Sequence, residues 1–96
     1  MWRWGRLSRS RDGTLLFQAP TVLLVNGYRF FFYSNEGHEP VHVHAEKGGG
    51  LAEFWLEPIS MAWQQGFTQA QLKTIRKLID THHGQFIGTW NDYFGT

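Results

Sequence analysis

Hydrophobic and polar positions in the first half of the chain predict a β-hairpin. Residues 21–25 and 28–33 are two runs rich in β-branched and aromatic side chains, and Asn26-Gly27 separates them. Asn-Gly readily adopts the positive φ angles of a two-residue type I′ turn, which joins antiparallel strands. The expected register pairs Val25 with Tyr28 and Leu23 with Phe30. The second strand is apolar on both faces except at Arg29, so we expect it to be central in the sheet.

A second hairpin is predicted around the glycines at 48–50. Residues 41–46 alternate between small apolar side chains and the set His42, His44 and Glu46, so that these three share one face of a strand. Residues 51–56 form the partner strand. A turn centred between Gly48 and Gly49 predicts the following opposed pairs: His44 with Glu53, His42 with Trp55, Glu46 with Leu51, and Val43 with Phe54.

The second half of the chain predicts a helix. Glu57-Pro58 is expected to end the sheet, and residues 59–63 to form a single helical turn. Thr68 has the position of an N-cap, with Gln71 completing a capping box. From there apolar side chains recur at steps of three or four, which predicts one long helix over about 69–94, with Gly84 as the place where it would bend or break.

These elements indicate an α+β fold, in which an antiparallel sheet of about four strands, arranged as two hairpins, packs against a long C-terminal helix. A chain of 96 residues is the size of one domain. We assign residues 20–96 to that domain and residues 1–19 to a basic N-terminal extension, which carries four arginines and one aspartate. Aromatic residues make up 17% of the chain, which argues against disorder.

Charge and composition exclude several classes of function. The net charge is +1, so a nucleic-acid partner has no support from net charge. The chain has no cysteine, which rules out disulfides, thiolate nucleophiles and cysteine-based zinc sites. No apolar run reaches the length of a membrane span, and the first residues lack the apolar stretch of a signal peptide. We therefore expect a cytoplasmic protein without a membrane partner, and a homodimer stays open.

The candidate chemistry is concentrated in the histidine strand. Two imidazoles on one face, joined by a carboxylate, are a common ligand set for a divalent metal, and the metal candidates are His42, His44 and Glu53. Neutral imidazoles can also act as general acid and base on a phosphodiester, and the catalytic candidates are His38, His42 and His44. The simpler alternative is that the imidazoles stack on Trp55 and pair with Glu53.

Two longer motifs carry a resemblance to a known family. They are Asn26-Gly27-Tyr28-Arg29-Phe30-Phe31-Phe32-Tyr33-Ser34-Asn35-Glu36 and the adjoining Gly37-His38-Glu39-Pro40-Val41-His42-Val43-His44, supported by Trp55-Leu56-Glu57-Pro58 and Trp90-Asn91-Asp92-Tyr93-Phe94. Over about residues 20–95 the chain resembles the bacterial family known as domain of unknown function 4160. That family usually has two prolines before its His-x-His, whereas Val41 occupies the second place here.

The resemblance implies a compact bacterial protein, often encoded beside another small domain, and hence a toxin–antitoxin-like component with a small protein partner. It singles out Glu36, Glu39 and Pro40 beside the histidines, and we take Glu36, Glu39 and Trp55 as a candidate binding face. Three hypotheses follow. The chain is a toxin–antitoxin-like component acting through protein and RNA contacts, a His-based or metal-dependent phosphodiester hydrolase, or a non-catalytic interaction module.

Overall fold

The structure is a computed structural model, and it describes residues 21–33 and 36–95 together with the backbone of two short strands nearer the N-terminus. Those two strands are β1 (Leu7–Arg9) and β2 (Leu15–Phe17), which pair with each other in an antiparallel two-stranded sheet. The rest of the predicted extension over 1–19 lies outside the described residues. The division of the chain at residue 19 therefore stays a prediction.

The main sheet has five antiparallel strands, each hydrogen-bonded to the next one along the chain. Their bounds are β3 (Leu23–Val25), β4 (Tyr28–Phe31), β5 (His42–Lys47), β6 (Gly50–Leu56) and β7 (Ile59–Gln65). Two helices follow, α1 (Gln69–Thr81) and α2 (His83–Phe94). The predicted α+β class is confirmed, with five strands in this sheet instead of four. None of the helices among the described residues is both long and apolar enough to cross a membrane.

Both predicted hairpins are confirmed, including their register. At the first turn Asn26 has φ 52° and Gly27 has φ 81°, as a type I′ turn requires. The pairs that define the two registers are Val25 with Tyr28, Leu23 with Phe30, His42 with Trp55, Val43 with Phe54, His44 with Glu53, and Glu46 with Leu51. The apolar strand β4 lies between β3 and β5, as its sequence predicted.

The region after the second hairpin differs from the prediction. Glu57-Pro58 does not end the sheet but connects β6 to β7, and its peptide bond is cis. The predicted helical turn over 59–63 is wrong, because these residues belong to β7. A register shift opposite Glu53 and Phe54 interrupts the pairing of β6 with β7. The extra residue in β7 at this point breaks the alternation of inward and outward side chains. The sequence therefore lacks the period-two pattern that predicts a strand.

The helical region also differs from the prediction of one long helix. The capping box is confirmed, since Thr68 and Gln71 exchange side-chain-to-backbone hydrogen bonds at the start of α1. The helix is interrupted at His82, which has φ −107° and ψ 18°, and not at Gly84. The apolar stripe continues through the break, because buried side chains of both helices face the sheet.

The helices and one face of the sheet enclose the hydrophobic core. Its fully buried members include Phe30, Val43 and Ala45 from the strands and Ile75, Ile79 and Phe86 from the helices. The other face of the sheet carries His42 and His44, which alternate with Val43 and Ala45 along β5. This second face is also buried around the histidines, and it provides the candidate site.

Candidate metal centre

The first acidic side chain of the site comes from the loop between β4 and β5. The carboxylate of Glu36 accepts a hydrogen bond from the backbone N–H of Tyr33 at 3.1 Å, and the carbonyl of Glu36 accepts one from the N–H of Glu39 at 3.0 Å. Gly37 follows, and a side chain there would collide with the ring of Phe94 in α2. These contacts fold the loop back toward the sheet, so that Glu36 is 8% exposed.

The two histidines come from alternating positions of β5 and are surrounded by aromatic rings. His44 stacks on Phe31 with ring centroids 5.4 Å apart and contacts the edge of Tyr33 at 4.5 Å. His42 lies against Trp55 at 5.3 Å and Trp90 at 5.0 Å. His42 is fully buried and His44 is 6% exposed. The packing leaves each imidazole little freedom to rotate, which fixes the direction of its nitrogens.

Three of these side chains converge on one point, and we call Glu36, His42 and His44 the Glu-His-His cluster. The Nε2 atom of His44 lies 3.0 Å from both carboxylate oxygens of Glu36. The Nε2 atom of His42 lies 2.9 Å from Oε1 of the same carboxylate. One ligand atom from each residue lies within 4.8 Å of the others. The cluster thus presents two imidazole nitrogens and a carboxylate to a common centre.

The hydrogen bonding of His42 fixes the role of its two nitrogens. Its Nδ1 atom is 2.9 Å from the carbonyl oxygen of Pro40. A carbonyl oxygen can only accept, so Nδ1 carries the proton that is donated. The buried Nε2 has no aligned hydrogen-bond partner among the described residues, although Glu36 is only 2.9 Å away. The contact is close enough for an ion pair, but the ring N–H direction departs from the line to the oxygen.

Electrostatics favour opposite charges within the cluster. Burial alone would raise the pKa of Glu36, but its close contacts with His42 and His44 and their positive charge outweigh it and lower this pKa from 4.5 to about 2. Burial alone would lower the pKa of His42, but Glu36, the Pro40 carbonyl and Glu53 raise it above 6.5. The carboxylate is therefore ionised and holds a positive charge beside it.

Of the other predicted site residues, Glu53 and Glu39 lie close to this cluster and His38 does not. Glu53, a predicted metal ligand, is buried, and its Oε2 lies 3.8 Å from Nε2 of His42. Glu39, His42 and Glu53 also bring one ligand atom each within 4.8 Å of the others. His38, a catalytic candidate, lies outside the cluster, since its side chain is 76% exposed and is 3.9 Å from Glu39.

The remaining polar residue of the histidine face has another partner. Glu46 forms an ion pair with Arg29 of β4, with N–O distances of 2.6 and 2.8 Å.

Trp55, a candidate for the binding face, is half-buried and packs edge-on against His42. It also lines a pocket of about 350 Å³, together with Pro40, Val41, Glu57, Pro58 and Ser60.

Strand periodicity placed the histidines but did not identify Glu36 as a potential ligand. The family resemblance places Glu36 in the candidate binding face, whereas strand alternation does not predict where a loop side chain points. The signal available in the sequence is an upper limit on distance, since the six residue steps from Glu36 to His42 span at most about 20 Å.

Comparison with known proteins supports the family resemblance. The sequence model of a family described as Domain of unknown function (DUF4160) matches residues 27–91. No curated protein and no solved structure matches the chain significantly. The match covers β4 to most of α2 and therefore includes the Glu-His-His cluster.

Proposed function

The chain belongs to the DUF4160 family, and we propose that it binds a first-row divalent transition metal ion through Glu36, His42 and His44. The observation that carries the proposal is the state of the His42 Nε2 atom, which is buried and lies 2.9 Å from a carboxylate oxygen without an aligned hydrogen bond. In the metal-free protein a proton on Nε2 is held by charge attraction to the carboxylate, without the alignment of a good hydrogen bond. A metal ion can bind both atoms without that alignment, because it requires only that Nε2 of His42 and the carboxylate oxygen of Glu36 lie close together.

The spacing of the donor atoms supports the same proposal. Neighbouring ligand atoms at about 2.0–2.1 Å from a metal ion lie roughly 3 Å apart in an octahedral shell and roughly 3.3 Å apart in a tetrahedral one, so small shifts of the cluster side chains would admit the ion. The contacts of Glu36 with His42 and His44 are 2.9 and 3.0 Å. The hydrogen bond from His42 Nδ1 to a backbone carbonyl is the usual outer contact of a metal-binding histidine, because it orients the ring and leaves Nε2 for the metal.

The donor set also restricts which ions fit. Imidazole nitrogen suits zinc, iron, nickel and copper, whereas calcium and magnesium prefer oxygen ligands throughout. Two imidazoles and a carboxylate therefore favour a transition metal. Glu53, at 3.8 Å from His42 Nε2, is near enough to join as a further ligand after a small shift of its side chain.

Burial bears on the hydrolase alternative, in which His38, His42 and His44 or a bound metal would act on a phosphodiester. A hydrolytic metal site keeps a coordination position open to substrate. The three cluster residues are each less than a tenth exposed, which favours an ion enclosed by the protein. His38 lies apart from the other two histidines, so it does not supply an acid or base beside them.

Zinc titration of metal-stripped protein tests the proposal. We expect one equivalent of Zn²⁺ to bind at pH 7 by calorimetry, and His44→Gln to weaken the affinity by about 100-fold or more, since even indirect partners of metal ligands contribute 10- to 100-fold. His38→Gln is the matched control, because it makes the same change at an exposed histidine outside the cluster. Absence of zinc binding by the wild type, or equal effects of the two variants, would reject the metal site.

A second candidate function is that of an interaction component within a toxin–antitoxin-like pair. It is supported by the pocket beside the half-buried Trp55 and by the neighbouring small domain that the family resemblance implies. Co-expression with the neighbouring gene product tests it. We expect the two chains to co-purify and Trp55→Ala to abolish capture while the far-ultraviolet spectrum stays unchanged. If no partner co-purifies and expression has no effect on growth, this candidate is lost.

A further inference from the structure

The pocket beside Trp55 has a composition that suits a particular ligand. Its volume of about 350 Å³ is within the range of sites that accept small groups. Most of its wall is apolar, and its lining residues are Pro40, Val41, Trp55, Glu57, Pro58 and Ser60. No residue of the Glu-His-His cluster lines this pocket, and the lining residues Trp55 and Pro40 contact the cluster through His42.

The charges at the pocket have one sign. The charged side chain among the lining residues is that of Glu57, which lies in the turn between β6 and β7 and is exposed. None of the lining residues, all of them in the described part of the chain, is basic. A ligand that fits this pocket therefore combines an apolar stem with a positive charge.

From this complementarity we propose that the pocket binds an arginine side chain of a partner protein. The guanidinium group is planar and stacks on an indole, and its forked donors match a carboxylate such as that of Glu57. The methylene stem of the arginine would lie against Pro40 and Pro58. The proposal rests on the second candidate function, partner binding, and is independent of whether the cluster holds a metal.

The pocket is held in shape before any ligand arrives. Trp55 pairs with His42 on one neighbouring strand and with Ser60 on the other. Its ring packs edge-on against the imidazole of His42, which is itself fixed by the Pro40 carbonyl. A preformed wall of this kind lowers the entropic cost of ordering the site on binding.

The test uses the full chain and three short peptides, each with blocked ends and two glycines on either side of a central residue. The central residue is arginine, its neutral analogue citrulline, or lysine. Binding is followed by the indole N–H resonance of Trp55 in a ¹H–¹⁵N spectrum, with the assignment taken from Trp55→Phe. We expect the arginine peptide to shift this resonance saturably, and to bind at least about fivefold more tightly than the citrulline and lysine peptides.

Two variants locate the interaction. Glu57→Gln removes the charge from an exposed turn without altering its size, and we expect it to weaken the arginine peptide about threefold or more. Asp80→Asn makes the same change on the exposed face of α1 and is expected to have no effect.

Several outcomes would overturn the proposal: no shift of the Trp55 resonance at millimolar arginine peptide, equal binding of the citrulline or lysine peptide, or equal effects of the two variants. Failure of partner binding itself gives a different result. If a co-purifying partner is still lost on Trp55→Ala while the arginine peptide does not bind, the partner surface stands and the assignment of its ligand to arginine is wrong.

Discussion

The Nδ1–H group of His42 donates a hydrogen bond to the carbonyl oxygen of Pro40, two residues earlier, at 2.9 Å. The opposite nitrogen, Nε2, therefore faces the ionised carboxylate of Glu36 with either a proton or a lone pair. A lone pair would repel the carboxylate, so a cation must lie between the two groups. In the metal-free protein that cation is the proton, and in the proposed holoprotein it is the metal ion.

The two buried carboxylates of the site are expected to differ in their contribution to metal binding. Glu36→Gln should weaken zinc binding about 100-fold or more, because this carboxylate contacts both histidines. Glu53→Gln should weaken it by about tenfold, the low end for a residue beside the ligands, since Glu53 is 3.8 Å from His42 Nε2. Calorimetric titration of metal-free protein measures both values.

Glu57→Gln is the matched control for these two variants, as Glu57 is exposed in the turn before β7. Its zinc affinity should equal that of the wild type. A larger loss in Glu53→Gln than in Glu36→Gln would instead support the ligand set predicted from the sequence, which was His42, His44 and Glu53.

The stability of the metal-free protein should depend on pH in both directions. The lowered pKa of Glu36 contributes stability above about pH 4.5, which is lost as the pH falls toward about 2. The raised pKa of His42 contributes stability below about pH 6.5, which is lost as the pH rises through the raised value. The free energy of unfolding in the presence of a chelator should therefore be greatest between these two limits.

Zinc should shift this profile toward higher pH, because metal binding requires unprotonated imidazoles. Urea denaturation across the pH range, with chelator and with zinc, measures both profiles. In Glu36→Gln the free energy of unfolding in chelator should change less with pH, both below about pH 4.5 and above about pH 6.5. A wild-type profile in chelator that rises steadily from pH 5 to 8 would contradict the charge assignment.

The core is expected to be sensitive to the loss of a single methyl group at the helix–sheet interface. Ile75 in α1 is fully buried, and Ile75→Val should lower the free energy of unfolding by about 1 kcal/mol. Leu24 is 67% exposed, so Leu24→Ala should change it by less than about 0.5 kcal/mol. Urea denaturation measures both. Equal losses would show that α1 does not pack as described.

Gly37 is expected to control the position of the Glu36 loop. A methyl group there would collide with the ring of Phe94, so Gly37→Ala should cost about 1–3 kcal/mol and weaken zinc binding. Gly88 is the matched control, because it is exposed in α2 with open space around it. Gly88→Ala should stabilise the protein by about 0.5–1 kcal/mol. A Gly37→Ala protein with unchanged stability and zinc affinity would show that the loop is not held by this contact.

The sequence predicted those parts of the fold that depend on local chemistry. Asn26-Gly27 specified both its turn and the register of β3 with β4. The glycine turn determined which residues face each other across β5 and β6, including His44 with Glu53. In both hairpins a short turn fixes the register, so the alternation of side chains was enough to assign the faces.

The rest depended on longer-range packing. The sequence does not predict β7, because a register shift interrupts the alternation of its side chains. In addition, a proline such as Pro58 commonly marks the end of a strand. The sequence places a possible break at Gly84, two residues from the actual one at His82, because the apolar stripe passes through this region without a change of period. Glu36 was not recognised as a ligand, since its approach to His42 and His44 is set by the loop and by packing at Gly37 against α2.

The most direct test of the metal site is X-ray absorption at the zinc edge of protein loaded with one equivalent of Zn²⁺. The wild type should show two imidazoles and carboxylate oxygen in the first shell at about 2.0–2.1 Å. His42→Gln should show one imidazole fewer, and His38→Gln should match the wild type. A first shell that contains no imidazole, or that is unchanged in His42→Gln, would contradict the assignment of Glu36, His42 and His44 as the metal ligands.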